Sequence, residues 1–213
     1  MNKFDKEIVV VPREKLFSNH YFQGFSTHGD GLLDFESRIL DNMVYMRRGD
    51  AETDPNFKQP IAYVLIVNPE LKHVFTYQRA NHEACGEERL RGKISWGTGG
   101  HIERIDGASN PIKASLDREL GEEVIINGST NVKVLGYIND DSEDVGRVHF
   151  GVLYLVETDA SVVLPRDTEI RFGSLIPIEL LEILVDADSP KIKVEEWSKI
   201  AFQELKHYLR ERS

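Results

Sequence analysis

Short apolar runs alternate along this chain with charged or glycine-containing stretches, and the runs carry two different periods. Glu7 to Val11 (EIVVV) predicts a buried strand, and a short helical stretch near Lys15 to Phe17 follows Pro12. Ser18 to Gly31 reads as loop, Leu32 to Leu40 as a short helix, and Met43 to Arg47 as a strand. Arg48 to Gln59 is polar, contains Gly49 and Pro55, and predicts a loop or wide turn. Ile61 to Val67 (IAYVLIV) is the strongest strand signal, short and rich in β-branched residues, closed by Asn68-Pro69. His73 to Arg79 is its expected hairpin partner. Asn81 to Arg91 is charged and reads as loop, and Lys93 to Trp96 as a strand running into Gly97-Thr98-Gly99-Gly100.

The period then changes. Ile112, Leu116, Leu120 and Val124 recur every four residues, which predicts a helix with one apolar stripe from Asn110-Pro111 to about Val124. Asn can cap the free amides, and Pro fits the first helical position. Beyond the Asn127-Gly128 turn, Val132 to Ile138 and Val148 to Val156 read as strands around an acidic loop, Asp140 to Gly146. Ile170 to Ile176 reads as a late strand, and Ile178 to Leu184 and Val194 to Arg212 as helices. Interleaved strands and helices predict an α/β (α+β) domain over residues 59–213, with residues 1–58 as an N-terminal extension packed on it.

Composition narrows the chemistry. The 213 residues are 40% hydrophobic and 29% charged, enough for a core without covalent staples. A net charge of −10 argues against tracking a nucleic-acid backbone, which needs clustered Lys and Arg; Arg47-Arg48 is too short a cluster. An acidic cleft suits a phosphorylated small molecule only if a divalent cation bridges the two. Cys85 is the single cysteine, so a disulfide and a Cys-rich zinc site are excluded. No stretch approaches the ~20 apolar residues of a membrane span, and the N-terminus lacks a signal-peptide core, so the cytoplasm is the expected compartment.

The informative segment runs from Gly99-Gly100-His101-Ile102-Glu103 to Arg118-Glu119-Leu120-Gly121-Glu122-Glu123. Glu119, Glu122 and Glu123 stand at i, i+3 and i+4, on one flank beside the apolar stripe. Carboxylates so close repel one another, and partial desolvation raises the cost. A hard divalent cation removes it, since Mg²⁺ takes oxygen ligands and bridges carboxylates to phosphates. Arg118 is placed to hold one of these carboxylates in a bidentate pair. The glycines let a strand end approach a ligand closely.

This segment resembles the Nudix box, G-x(5)-E-x(7)-R-E-U-x-E-E-x-G-U with U aliphatic, through Gly100, Arg118, Glu119, Leu120, Glu122, Glu123 and Ile126. The resemblance implies a Nudix fold, a mixed sheet between helices, and hydrolysis of a diphosphate linkage in a nucleoside-diphosphate derivative. It implies Mg²⁺ or Mn²⁺ on Glu119, Glu122 and Glu123, with Glu122, Glu119 and Arg118 as the catalytic group. Asp106 stands where the box has Glu, eleven residues instead of seven separate it from Arg118, and Ile125 replaces the closing glycine. The pattern from Met46-Arg47-Arg48 through Asp54-Pro55 and Phe57-Lys58-Gln59-Pro60 resembles a bacterial Nudix branch of expected phosphoesterases.

Outside the box, Gly99, Gly100, His101, Arg79 and Lys93 are the substrate-binding candidates. Glu103 and Glu169 are auxiliary acidic candidates, each weighed against an ordinary loop charge. The expected partner is a small-molecule diphosphate, with no nucleic acid and no membrane, and a homodimer is the family-based expectation. The competing reading is a Nudix-fold sensor that binds a nucleotide such as ADP-ribose without cleaving it. Isomerase chemistry, as in isopentenyl-diphosphate isomerase, would need a cysteine where Gly99 stands.

Overall fold

The computed structural model describes residues 2–28, 34–81, 90–107, 109–187 and 192–211. Cys85, most of the expected loop around it, and the first residues of the expected Leu32 helix lie outside the described residues. The elements in chain order are β1 (Glu7–Pro12), α1 (Arg13–Phe17), β2 (Gly24–Thr27), α2 (Phe35–Asn42), β3 (Val44–Arg47), α3 (Arg48–Ala51), β4 (Phe57–Asn68) and β5 (His73–Arg79). There follow β6 (Ile94–Ser95), β7 (Gly97–Thr98), α4 (Pro111–Glu123), β8 (Val124–Ile126), β9 (Thr130–Asn139), α5 (Asp144–Val148) and β10 (His149–Thr158). The chain ends with β11 (Val163–Pro165), β12 (Ile170–Pro177), α6 (Ile178–Asp186) and α7 (Glu196–Glu211).

The residues group into two compact units. One comprises Met1–Tyr63, Gly99–Glu119 and Val134–Tyr154; the other comprises Val64–Thr98, Leu120–Lys133 and Leu155–Ser213. The expected N-terminal extension thus shares a unit with the segment that leads into the box helix.

In the first unit, β1 pairs antiparallel with β3, Val9 opposite Tyr45, and reaches β4 at Val11–Lys58. β2 pairs with β9 from Gly24–Asn139 to Thr27–Gly136. The apolar run of β1 is buried from Ile8 to Val11, and Ile8 and Val10 pack with Ala51, Met46 and Phe57. Phe17, Phe22, Phe35, Tyr137 and Phe150 form a second cluster, with the Phe35 and Tyr137 rings 4.9 Å apart and edge to face.

In the second unit, β12 pairs with β5 over its length, and β5 with the end of β4 at Val67–Val74. β6 pairs with β5, β7 with β4, and β11 with β8. Helix α7 buries Ser198, Ala201, Phe202, Leu205 and Leu209, the three-to-four spacing of a one-faced helix. No described helix is long and apolar enough to cross a membrane.

Two departures from the sequence pattern have a common cause. Residues expected as a polar loop before Gln59 include the short helix α3 and the start of β4, where Lys58 and Gln59 are fully buried. The Lys58 ammonium donates to Asp141 Oδ1 at 2.7 Å, to the Gly146 carbonyl at 2.8 Å and to the His149 carbonyl at 3.1 Å. A buried cation is tolerated when all its protons are accepted. The expected acidic loop supplies two of those acceptors, Asp141 and Gly146, and Asp140 is buried there as well. Strands β2, β8 and β11, of three or four residues each, carry too little alternation to show in the sequence.

Candidate active site

The box helix is built as its sequence dictates. Asn110 Oδ1 accepts the Lys113 amide at 3.0 Å, capping α4, and Pro111 opens it. Ile112 and Leu116 are fully buried, Val124 nearly so, and Leu120 is half-buried, so the four-residue stripe faces the interior. Replacing Asn110 by alanine will cost about 1 kcal/mol of stability through the lost cap, read as a shift in the urea midpoint at unchanged slope. An unmoved midpoint would show that the cap contributes nothing.

The helix is continuous to Glu123, so Glu119, Glu122 and Glu123 hold the i, i+3, i+4 spacing. Their environments differ: Glu122 is exposed, Glu123 is half-buried, and the Glu119 side chain is 13% exposed. Arg118 fixes Glu119 by Nη1 to Oε1 at 2.5 Å. It also makes a bidentate pair with Asp106 (Nε to Oδ1 2.8 Å, Nη2 to Oδ2 3.0 Å). Arg118 Nη2 also donates to the His101 carbonyl at 3.0 Å. Bonding to Asp106 raises the Arg118 pKa, with burial opposing and Glu119 adding to it. One guanidinium therefore joins the loop residue Asp106, the strand end at His101 and the helix carboxylate Glu119.

Asp106 also accepts the Glu103 amide at 2.8 Å, closing a capping box over the 3₁₀ turn Arg104–Asp106. The longer box loop is thereby folded back on itself and tied to the helix. Glu103 itself accepts from Lys6 Nζ at 2.7 Å.

The glycines have distinct roles. Gly99 sits at φ +148°, and a Cβ there would strike the Ala62 carbonyl. Gly100 has ordinary φ, but a Cβ would occupy the position of the Glu119 carboxylate. Glycine at 100 is thus what lets the strand end and Glu119 approach each other.

His101 lies on its buried ring side against Gln59 Oε1 at 2.7 Å and His149 Nε2 at 3.2 Å. Burial first, then the charge of Arg48 and the neighbouring His149, hold its pKa well below the usual imidazole range. Glu52, His101 and His149 bring their ligand atoms within 4.8 Å of one another. The sequence offered no local sign of this group, because its members come from three separate segments.

On the other unit, the carbonyl of Glu123 accepts the Arg166 amide at 2.7 Å, which docks the segment before β12 on the end of α4. Glu169 follows, with its carbonyl bonded to the Ala80 amide at 2.8 Å and its carboxylate 4.0 Å from Arg79. Arg79 donates to Glu195 Oε1 at 2.5 Å. Burial opposes the Arg79 charge, but the fields of Glu195, Tyr77 and Glu123 raise its pKa well above the ordinary value. Arg79 is therefore engaged by Glu195 and stands in the field of the box residue Glu123. Lys93 lines a cavity of about 210 Å³ with Lys193, Lys199 and Glu196.

No family model matches the chain. The chain is 42% identical over 160 residues to protein YmaB of Bacillus subtilis, covering 72% of this chain and 76% of that one. Its fold is similar to the crystal structure of Tm1382, described as a candidate Nudix hydrolase, at TM-score 0.73 and 27% identity. That alignment covers 95% of this chain and 100% of the other. The NUDIX domain of Shewanella oneidensis NrtR, solved with ADP ribose, shares the fold at TM-score 0.50 and 16% identity over 71% of this chain and 88% of that one. By identity and coverage the chain belongs to the same family as YmaB, and the mixed α+β fold it shares with Tm1382, carrying the Arg118-Glu119 box helix against Gly100, places it in the Nudix hydrolase superfamily.

Proposed function

We propose that the protein is a divalent-metal-dependent hydrolase of a diphosphate linkage, in a nucleoside-diphosphate derivative or a related organic diphosphate. The observation that carries this reading is the setting of Glu119. It is nearly buried, held by Arg118, and set where any side chain at position 100 would displace it. A carboxylate fixed at such cost to its surroundings suits a ligand better than a solvated surface charge.

The donor set fits a hard cation: three carboxylates on one helix flank, Glu119, Glu122 and Glu123, with Mg²⁺ or Mn²⁺ as the ion. When bound, the cation neutralises charge on the diphosphate oxygens and lowers the pKa of a water. The chain's own residues do the rest. Arg118 and Asp106 hold Glu119 in place, and Glu122, exposed on the same flank, accepts the proton of the attacking water. The Gly99-Gly100 backbone lets substrate approach the helix. Glu169, brought beside Arg79 and the end of α4, is the auxiliary acid favoured by position, whereas Glu103 is engaged by Lys6.

The test is a product-release assay on the purified chain with a panel of nucleoside-diphosphate sugars, dinucleoside polyphosphates and non-nucleotide diphosphates. ADP-ribose belongs in the panel because the NrtR domain was solved with it. Turnover of at least one class, requiring Mg²⁺ or Mn²⁺, is expected. Calorimetric binding of a nucleotide with no product under either metal would establish a sensor instead.

A further inference from the structure

We propose that Glu52, His101 and His149 form a second cation site, made for a transition-metal ion such as Zn²⁺ and separate in its residues from the box glutamates. Three side chains from distant parts of the sequence converge here: Glu52 just after α3, His101 after the glycine pair, and His149 at the start of β10.

His101 Nε2 and His149 Nε2 lie 3.2 Å apart. Two imidazole nitrogens bound at about 2.0–2.1 Å to one tetrahedral ion stand about 3.3 Å apart. The rings are edge to face at 68°. All three ligand atoms lie within 4.8 Å of one another.

His149 Nδ1 is 2.6 Å from the Val145 carbonyl, which can only accept, so Nδ1 carries the proton and Nε2 presents a lone pair. Metal-binding histidines are commonly oriented in this way. Gln59 Oε1 and the Glu52 carboxylate are acceptors too. His101 Nε2 faces both the Gln59 oxygen and His149 Nε2. Gln59 is fully buried, its Oε1 lies 2.7 Å from His101 Nε2, and its Nε2 has no partner. A transition-metal cation suits such a convergence of imidazole and carboxylate donors.

The donors select the ion. Two imidazoles and a carboxylate favour Zn²⁺ and its transition-metal neighbours over Mg²⁺, which takes oxygen ligands. Glu52 accepts a hydrogen bond from Arg48 Nε at 3.2 Å. Three protein ligands leave a fourth position, where Gln59 Oε1 or a solvent molecule completes the shell. The ion ties the segment after α3 and the start of β10 to His101, one residue from the glycine that abuts Glu119.

Metal analysis of the purified chain, followed by chelation and titration with Co²⁺, tests this. We expect about one equivalent of bound transition metal per chain, and a visible Co²⁺ spectrum of tetrahedral or five-coordinate type. Both are expected to be lost at least tenfold in affinity in Glu52→Gln and His149→Gln, and kept in Glu122→Gln. Because His149 is buried, the Glu52→Gln variant and the wild-type Co²⁺ spectrum carry the test should His149→Gln fail to fold. A chain whose Co²⁺ affinity is unchanged by Glu52→Gln, or lost only with the box glutamates, would overturn the proposal and leave the box reading untouched.

Discussion

Replacing Glu122 by glutamine will lower metal-dependent turnover at least 100-fold while leaving the chain folded. The substitution keeps the shape and removes the charge. Glu122 is exposed on α4, and surface substitutions away from buried networks change stability by about 0.5 kcal/mol or less. Chemistry is affected differently, because the carboxylate is assigned both a share of the cation and the proton of the attacking water. General-base contributions alone are about 10²- to 10⁴-fold, and 100-fold corresponds to about 2.7 kcal/mol of barrier. Single-turnover rates on whichever diphosphate the panel identifies, with circular dichroism as the control for folding, read the two effects separately. Undiminished turnover would remove Glu122 from the site. Turnover lost together with the fold would make it structural.

That prediction could be framed from the sequence because the box is local. Helix α4 carries its own stripe, cap and carboxylates within one continuous run, so period and spacing suffice. The strand β4 was visible for the same reason, from the unbroken run Ile61 to Val67. What lay hidden is long-range. Asp106 appeared as a departure from the family pattern, and only the folded loop shows it as the bidentate partner of Arg118. Arg79 alternated like a cleft residue, yet Glu195, 116 positions away, holds it. Glu52 and His149 drew no notice because a lone glutamate and a lone histidine carry no pattern; chain register alone brings them to His101. Lys58 and Gln59 looked like loop residues because polarity marks exposure only when no partner waits inside.

Lys58 sets up the largest expected loss of stability. Lys58→Ala will cost about 3–5 kcal/mol, the range for breaking a buried ion pair by removing one partner. The alanine leaves a cavity and strips a donor from Asp141 Oδ1 and from the carbonyls of Gly146 and His149. Lys58→Met fills the space and should lose less, since Arg13 and Tyr21 still donate to Asp141. Burial pulls the Lys58 pKa down to about 8, partly opposed by Asp141. Between pH 8 and its ordinary 10.5 the unfolded chain therefore binds a proton that the folded chain has released. Wild-type stability should accordingly rise relative to Lys58→Met across that window. Asp141 works at the other end. Burial disfavours its charge, but bonds from Arg13, Lys58 and Tyr21 prevail and hold its pKa well below the usual carboxylate value. Its contribution is complete above pH ~4 and lost as acid protonates the unfolded chain first. Urea midpoints from pH 3 to 10 for wild type, Lys58→Ala, Lys58→Met and Asp141→Asn would show this as a flattened acid limb in the last variant. A Lys58→Ala midpoint equal to wild type at pH 7 would mean that the buried ammonium only offsets its own desolvation. Polar burial at β4 would then serve to choose the register of Gln59 and His149 and add nothing to stability.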